Sequence, residues 1–534
     1  MGGPLRILKR VVETPTLPRL LTVLSPLALV CLLLAVICGG DLWDCIPYWH
    51  DEVWYWNEIA VFHAAGFHGG YTVTNEIPAP ATFVHFGTHG PVYPALHGSL
   101  TRLVGLFPCS IPVLNAACLL LASTIWVLVC RAGRRVAWAG LLVVVTFWPL
   151  ILYLPSSMQE TLHHAIAFLV AAVVVASFQK PESRLRLLVA LAIVVAAAQI
   201  RVTWCWVILP LFWVGCQPQR WSGRIAIFGA ALAIIAALYA EAVWLYSPHP
   251  NFMSEFLSRA TESPLAGLTQ LMGHTAKNLV RYVVPDHGSW LERGLRVQVL
   301  LILGAAIYHV VRLGRQRRGT FEPSNLFPAA KRESGQTMQS SGGPGERSAN
   351  GEDCSAAFTF VLLNLLGIVG FVIAFYDVMD WRDYRVVAPH LLLSLLVLLG
   401  VQAAQWLTGY VLLALLLGLL APGKFAEFHR GRVAYDAAQI AAFSEQMGNL
   451  VRVDEQASAW DKTLLVHIDR LNSPLLLGLP RGIGVSIVYR WQDQAYPPRS
   501  KYVLLTNAEI NRLGVPSSLA RVAATPLGDL YVRR

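Results

Sequence analysis

The sequence predicts an all-α polytopic membrane protein with a small α/β domain at its C-terminal end, and three observations predict it. Hydrophobic residues make up 55% of the 534 residues, charged residues 14%, and the mean hydropathy is +0.51, a balance soluble domains do not reach. The apolar residues gather into about eleven runs, most of them close to bilayer thickness. After Pro422 the runs stop, and short β-branched stretches in polar surroundings replace them.

The first run, Leu20 to Cys38, is long enough to span and lacks a small-residue cleavage site, so it reads as a signal anchor. Arg6, Lys9, Arg10 and Arg19 flank it and put the N-terminus in the cytoplasm. The expected spans are then 20–39, 111–130, 136–154, 161–178, 186–200, 203–216, 225–246, 295–312, 357–378, 386–401 and 405–421. Loops that fall inside carry Arg131, Arg134 and Arg135, then Lys180, Arg184 and Arg186, then Arg220 and Arg224, then Arg312, Arg315, Arg317 and Arg318. This is the positive-inside pattern. The other face collects Asp51, Glu52, Glu160, Glu241, Asp286, Asp377, Asp380 and Asp383. Pro91 to Leu106 is too short and too polar at His97, Ser99 and Arg102 to cross, so it reads as an amphipathic helix on the outer surface.

Four regions follow: a membrane module over 1–312 with a large external loop at 40–110, a cytoplasmic linker at 313–356, a second membrane segment at 357–421, and an external α/β domain at 422–534. The linker reads as disordered because Glu333 to Asp353 is rich in Ser, Gly, Gln and Asn. In the last region Leu464–Ile468, Lys501–Leu505 and Leu530–Val532 read as strands and Asn507–Leu513 as a helix. The net charge of +10 is accounted for by the loops, which leaves no nucleic-acid face. Cys31, Cys38, Cys118, Cys130, Cys205 and Cys216 lie in or beside apolar runs and read as small hydrophobes without metal-knuckle spacing. Cys45 and Cys109, at the two ends of the external loop, are expected to pair in an oxidising compartment.

Chemistry concentrates on the outer face. Asp51 and Glu52 stand among Trp43, Tyr48, Trp49, Trp54, Tyr55 and Trp56, where desolvation raises the basicity of a carboxylate and suits it to act as a general base. The competing reading makes Asp51 the N-cap of an interfacial helix beginning near Glu52. His85 and His89 have metal-ligand spacing for a helix, but Gly87, Gly90 and Pro91 argue against a helix there; Gly90-Pro91 reads instead as a turn that returns His89 to the membrane. Glu160 opens a span, where capping alone explains it. Arg201 lies outside, against the positive-inside pattern, and reads as a phosphate contact or a snorkelling side chain. Arg382 and Arg385, beside Tyr384, offer forked donors for a phosphate or internal partners for Asp380 and Asp383.

Together these features resemble the GT-C superfamily of membrane glycosyltransferases, in the branch of the protein O-mannosyltransferases and lipid A aminoarabinose transferases. The resemblance covers roughly 20–420 and rests on order: Asp51-Glu52 followed by Tyr55 and Glu58-Ile59-Ala60, then His89-Gly90-Pro91-Val92-Tyr93, Val104-Gly105-Leu106-Phe107, Gln159-Glu160, Arg201, and Tyr384-Arg385 with Pro389. Relatives often read Lys-Pro-Pro-Leu-Tyr where this chain has His89 onward. The resemblance implies a GT-C fold in a bacterial inner membrane and transfer of a sugar, with inversion, from a polyprenyl-phosphate carrier to a glycan, lipid or protein acceptor on the outer face. It makes Asp51 the base, Glu52 its orienting neighbour, Glu160 a second acidic position, and His89, Arg201 and Arg385 the donor-phosphate side. It makes no cofactor certain and leaves a divalent metal open, for which His85, His89, Asp51 and Glu160 could in principle form a site, though no spacing argues for one. The sequence shows no phosphate-cradling glycine loop for a sugar nucleotide. Two other classes stand beside this reading, a transporter or flippase of lipid-linked saccharide and an inactive relative serving as a scaffold.

Overall fold

The computed structural model describes residues 16–130, 133–179, 184–216, 221–248, 252–283, 290–319, 346–376, 381–401, 407–454, 456–491, 497–515 and 517–534. Among them are seven helices long and apolar enough to cross a membrane and four shorter apolar ones, which mark the chain as a membrane protein. Helix α1 (Thr16–Leu33) continues as a single π turn to Cys38. The loop at 40–110, expected from the sequence to be external, holds α2 (His50–Ala65) and α3 (Val92–Val104), both short of a full crossing. Next come α4 (Ser110–Val129), α5 (Arg134–Thr146), α6 (Trp148–Tyr153), α7 (Glu160–Gln179), α8 (Arg184–Ala198), a 3-10 turn over Val202–Val207, α9 (Ile208–Cys216) and α10 (Trp221–Leu245). The run expected to be one span at 136–154 is broken at Phe147, where Trp148-Pro149 starts a new helix.

The stretch between α10 and the next span, read from sequence as a plain loop, folds as α11 (Phe252–Glu262) and α12 (Pro264–Val283). Helices α13 (Trp290–Gly319) and α14 (Glu346–Phe375) run into the segment expected to be a linker, and only 320–345 lie outside the described residues. Helix α15 (Trp381–Gly400) tolerates Pro389, and α16 (Leu407–Val433) tolerates Pro422. Pro422 therefore does not end the helix, because neighbours in a membrane bundle resatisfy the freed carbonyl. The core centres on α7, the most buried candidate span at 78%, which packs against α4, α8 and α15.

Beyond α16, Asp436 caps α17 (Ala437–Leu450) by accepting from Ala438 N and Gln439 N. Five strands follow, β1 (Thr463–His467), β2 (Gly484–Val488), β3 (Tyr502–Leu505), β4 (Leu519–Thr525) and β5 (Gly528–Arg533), with α18 (Asn507–Leu513) between β3 and β4. The sheet order is β2-β1-β3-β5-β4, parallel over its first three strands and antiparallel over the rest. The outer edge of β2 is not left bare. Residues 72–75 of the external loop lie along it, with Ile487 N donating to Val73 O at 2.8 Å and Asn75 N to Ile487 O at 2.7 Å. Glu76 then accepts from Arg499 N and Ser500 N. A Cβ on Gly70 would collide with the Lys462 carbonyl, which shows how closely the loop lies on the domain. The C-terminal domain is thus stitched onto the loop that carries Asp51.

Candidate functional site

Helix α2 begins at His50 with Trp49 as its N-cap, so Asp51 is not the cap. Capping falls to Glu52, whose Oε2 accepts from Tyr48 N at 2.9 Å and Trp49 N at 3.1 Å. The same carboxylate accepts from Ser157 N at 3.0 Å and from Arg432 Nη1 at 2.7 Å, with both side chains fully buried. Arg432 itself reaches His429 and Ile46 O. Glu52 therefore has no acceptor capacity left for a substrate, and the role expected for it beside Asp51 reduces to fixing the start of α2.

Asp51, one residue earlier, points the other way. Its Oδ2 accepts from Arg385 Nη1 at 2.7 Å, and its Oδ1 lies 3.0 Å from His50 Nε2. Arg385 also donates through Nε to Glu160 Oε1 at 2.6 Å, and Glu160 Oε1 accepts from Arg201 Nη2 at 2.9 Å. Arg201 Nη1 donates to the Arg385 carbonyl at 2.8 Å. Four residues from four distant segments thus form one chain of alternating charge, Asp51–Arg385–Glu160–Arg201, at one end of the helix bundle.

His89 joins the same neighbourhood. Gly90, at φ +73°, makes the turn against the Tyr246 ring that no Cβ would permit. The His89 ring sits edge-on to Tyr55 at 5.1 Å, and Tyr55 meets Tyr93 at 5.6 Å. Desolvation pushes the His89 imidazole down to about 3, with Arg201 and Arg385 adding to the effect and Asp51 and Glu160 opposing it. It is a neutral ring at physiological pH, able to donate or accept one hydrogen bond but not to supply a fixed cation.

The basicity of Asp51 departs from the sequence expectation. Burial alone raises its pKa, yet the Arg385 charge and the His50 hydrogen bond more than offset that, and the carboxyl is held well below the usual carboxylate range. Asp51 is a strongly paired anion here. Beside it the Tyr55 hydroxyl, Glu160 Oε2 and both side-chain amide atoms of Gln159 are buried with no hydrogen-bond partner among the described residues. Buried polar atoms are normally paired, and these adjoin the charged chain with hydrogen-bonding capacity unspent among the described residues.

The segment before α7 is held from the external loop. Tyr93 OH donates to Ser157 O, and Asn115 Nδ2 donates to Met158 O while its Oδ1 meets His97 Nε2 at 3.0 Å. His85 lies apart from the cluster, stacked on Tyr71 at 4.5 Å and bonded to Gly69 O at the junction with the C-terminal domain. Residues 85–90 are not helical. The side chains of Arg382 and Tyr384 lie outside the described residues, as do Asp286, Asp377 and Asp380. All nine cysteines are free thiols, so the clamp expected between Cys45 and Cys109 is not formed; Glu52 and Arg432 hold the loop instead. Among the described residues no group of three or more His, Cys, Asp or Glu stands together to hold a metal ion.

Sequence reasoning missed Arg432 and Asn57. Asn57 Nδ2 donates to Ile483 O and its Oδ1 accepts from Val485 N, which ties α2 to β2. Arg432 carried no readable signal, because with the last span read as ending at 421 it fell in the C-terminal domain. No family model matches the chain, and no curated protein and no solved structure matches it.

Proposed function

We propose that the protein is an integral membrane glycosyltransferase of GT-C type with eleven spans, which moves a sugar from a polyprenyl-phosphate carrier to an acceptor on the outer face of a bacterial inner membrane, with inversion. The observation that carries this reading is the linked set Asp51–Arg385–Glu160–Arg201 with neutral His89 beside it. Seven long and four short apolar helices agree in order with the eleven expected spans. Displacement at an anomeric carbon needs a base on one side of the sugar and cations for the departing phosphate on the other. The cluster supplies both, in a low-dielectric setting.

In this reading the donor phosphate displaces Asp51 from Arg385 and takes its place on that guanidinium, with Arg201 held nearby through Glu160. Freed of its guanidinium, the Asp51 carboxylate regains basicity. The acceptor hydroxyl then loses its proton to Asp51 as its oxygen bonds the anomeric carbon, and the carbon–oxygen bond to phosphate breaks with its electron pair retained on polyprenyl phosphate. The base is switched on by the substrate it serves. Purified protein in nanodiscs, given a panel of polyprenyl-phosphate sugars, is expected to release polyprenyl phosphate only with an acceptor present. Asp51→Asn that still transfers sugar at the wild-type rate would falsify the assigned base.

One observation favours the transporter reading. His163, His164 and His390 are buried in the bundle with ring nitrogens that lack partners among the described residues, and polar groups at such depth often line a path. Proteoliposomes that move lipid-linked saccharide between leaflets without turning it over would establish that alternative.

A further inference from the structure

Helix α12 has a face that nothing among the described residues covers. Around its axis three sectors can be told apart. The packed sector holds His274, Asn278 and Tyr282: His274 Nε2 meets the Tyr376 carbonyl at 3.0 Å, Asn278 Nδ2 donates to Ile373 O at 2.9 Å, and Tyr282 lies under the Arg296 guanidinium at 5.3 Å. A polar sector carries exposed Lys277. The third sector is Leu265, Leu268, Met272, Leu279 and Val283, recurring at helical spacing with exposures between 51% and 74%. Five large apolar side chains on one side of the helix, with only Thr275 and Ala276 on that side between Met272 and Leu279, are not an ordinary solvated face.

Position says what meets that stripe. Helix α12 connects two long spans, α10 and α13. Its last turn is level with the second turn of α13, where Arg296 Nη1 donates to Arg281 O at 2.7 Å, and with the last turns of α14 through Ile373 and Tyr376. At the same end of the bundle α10 exposes Val243 and Trp244. The bare stripe therefore continues the apolar outer surface of the spans rather than facing the C-terminal domain. We infer that α12 is an interfacial helix whose stripe lies in the acyl region of the leaflet on the Asp51 side, with Lys277 toward the lipid phosphates.

This inference stands on the membrane assignment and not on the transfer reaction.

The test uses the full chain in nanodiscs of phosphatidylcholine and phosphatidylglycerol, with the exposed Cys31 and Cys216 replaced by serine. Leu268→Cys, Met272→Cys, Leu279→Cys and Lys277→Cys each receive one nitroxide. Collisions with dissolved oxygen are expected to exceed those with a water-soluble nickel chelate by roughly fivefold more at the three stripe positions than at Lys277, as for a helix whose apolar face is immersed at the interface. Equal accessibility at all four positions would overturn the inference. So would dipolar broadening between stripe labels on two molecules, which would assign the stripe to a second copy of the chain.

Discussion

Asp51 keeps 22% side-chain exposure and bonds His50 and Arg385, whereas Glu52, the next residue, is fully buried and accepts from Tyr48, Trp49, Ser157 and Arg432. Each carboxylate has an arginine at 2.7 Å, so the strength of the pairing does not distinguish them. What differs is saturation and surroundings. About 100° of helical rotation separates the two side chains. One lands in a closed clamp against α16, the other in a mixed cluster whose neighbours include unpartnered polar atoms. An arginine in a saturated pair is a fastener; the same arginine beside unmet acceptors is one a ligand can recruit.

The comparison is broken most directly by Asp51→Asn and Arg432→Met. The first is expected to lower transfer by about 10²–10⁴-fold, the range for removal of a positioned base, with little change in the thermal midpoint. The second leaves Glu52 buried without its partner and is expected to cost about 3–5 kcal/mol of stability, followed as the loss of folded protein on heating in detergent. Combining Arg432→Met with Glu52→Gln should restore much of that loss, because the buried charge is then gone. If Asp51→Asn unfolds the protein and Arg432→Met leaves it stable, the two carboxylates have been assigned the wrong way round.

How much of this was legible beforehand follows the same division. Arg201, Glu160 and Arg385 could be found because charge in an apolar chain is conspicuous, and the expected topology put them on the side of Asp51. Their pairing could not, since three-dimensional contacts between α2, α7 and α15 leave no mark in spacing. The Glu52 clamp was hidden for another reason. Pro422 read as the end of the last span, so Arg432 was assigned to the soluble domain, although α16 carries its helix through the proline to Val433. Helices α11 and α12 escaped because polar residues dilute their apolar stripe below the hydropathy of a span.

Arg385 sharpens the contrast further. It uses Nε for Glu160 and Nη1 for Asp51, two separate edges of one planar group. A lysine ammonium cannot reproduce that fork. Arg385→Lys is expected to lower transfer by about 10²-fold, comparable to losing one oriented donor in an anion site. Steady-state rates at saturating donor separate this from a simple loss of affinity. Arg201→Lys, which keeps the charge and loses a donor to the Arg385 carbonyl, should fall by less.

The smallest effect concerns a third carboxylate on α2. Glu58 is buried and has no arginine; its Oε1 accepts from Gly87 N at 2.7 Å and its Oε2 has no partner among the described residues. Burial pushes it up to about 8 from the ordinary 4.5, with the Gly87 N–H opposing. Between those two values the folded protein holds a proton that the unfolded chain has released, so stability falls as pH rises through that window and levels off above it. Thermal midpoints from pH 7 to 9 should therefore decline in the wild type and stay flat over that contribution in Glu58→Gln; below pH 7 buried His89, with its lowered pKa, adds a contribution of opposite sign. Asp51, with its pKa depressed by Arg385, changes nothing in the same range, because it is already ionised in both states. A decline that persists in Glu58→Gln would mean that a carboxyl without an arginine can stay ionised on this helix, and that pairing is not what sets Asp51 apart from it.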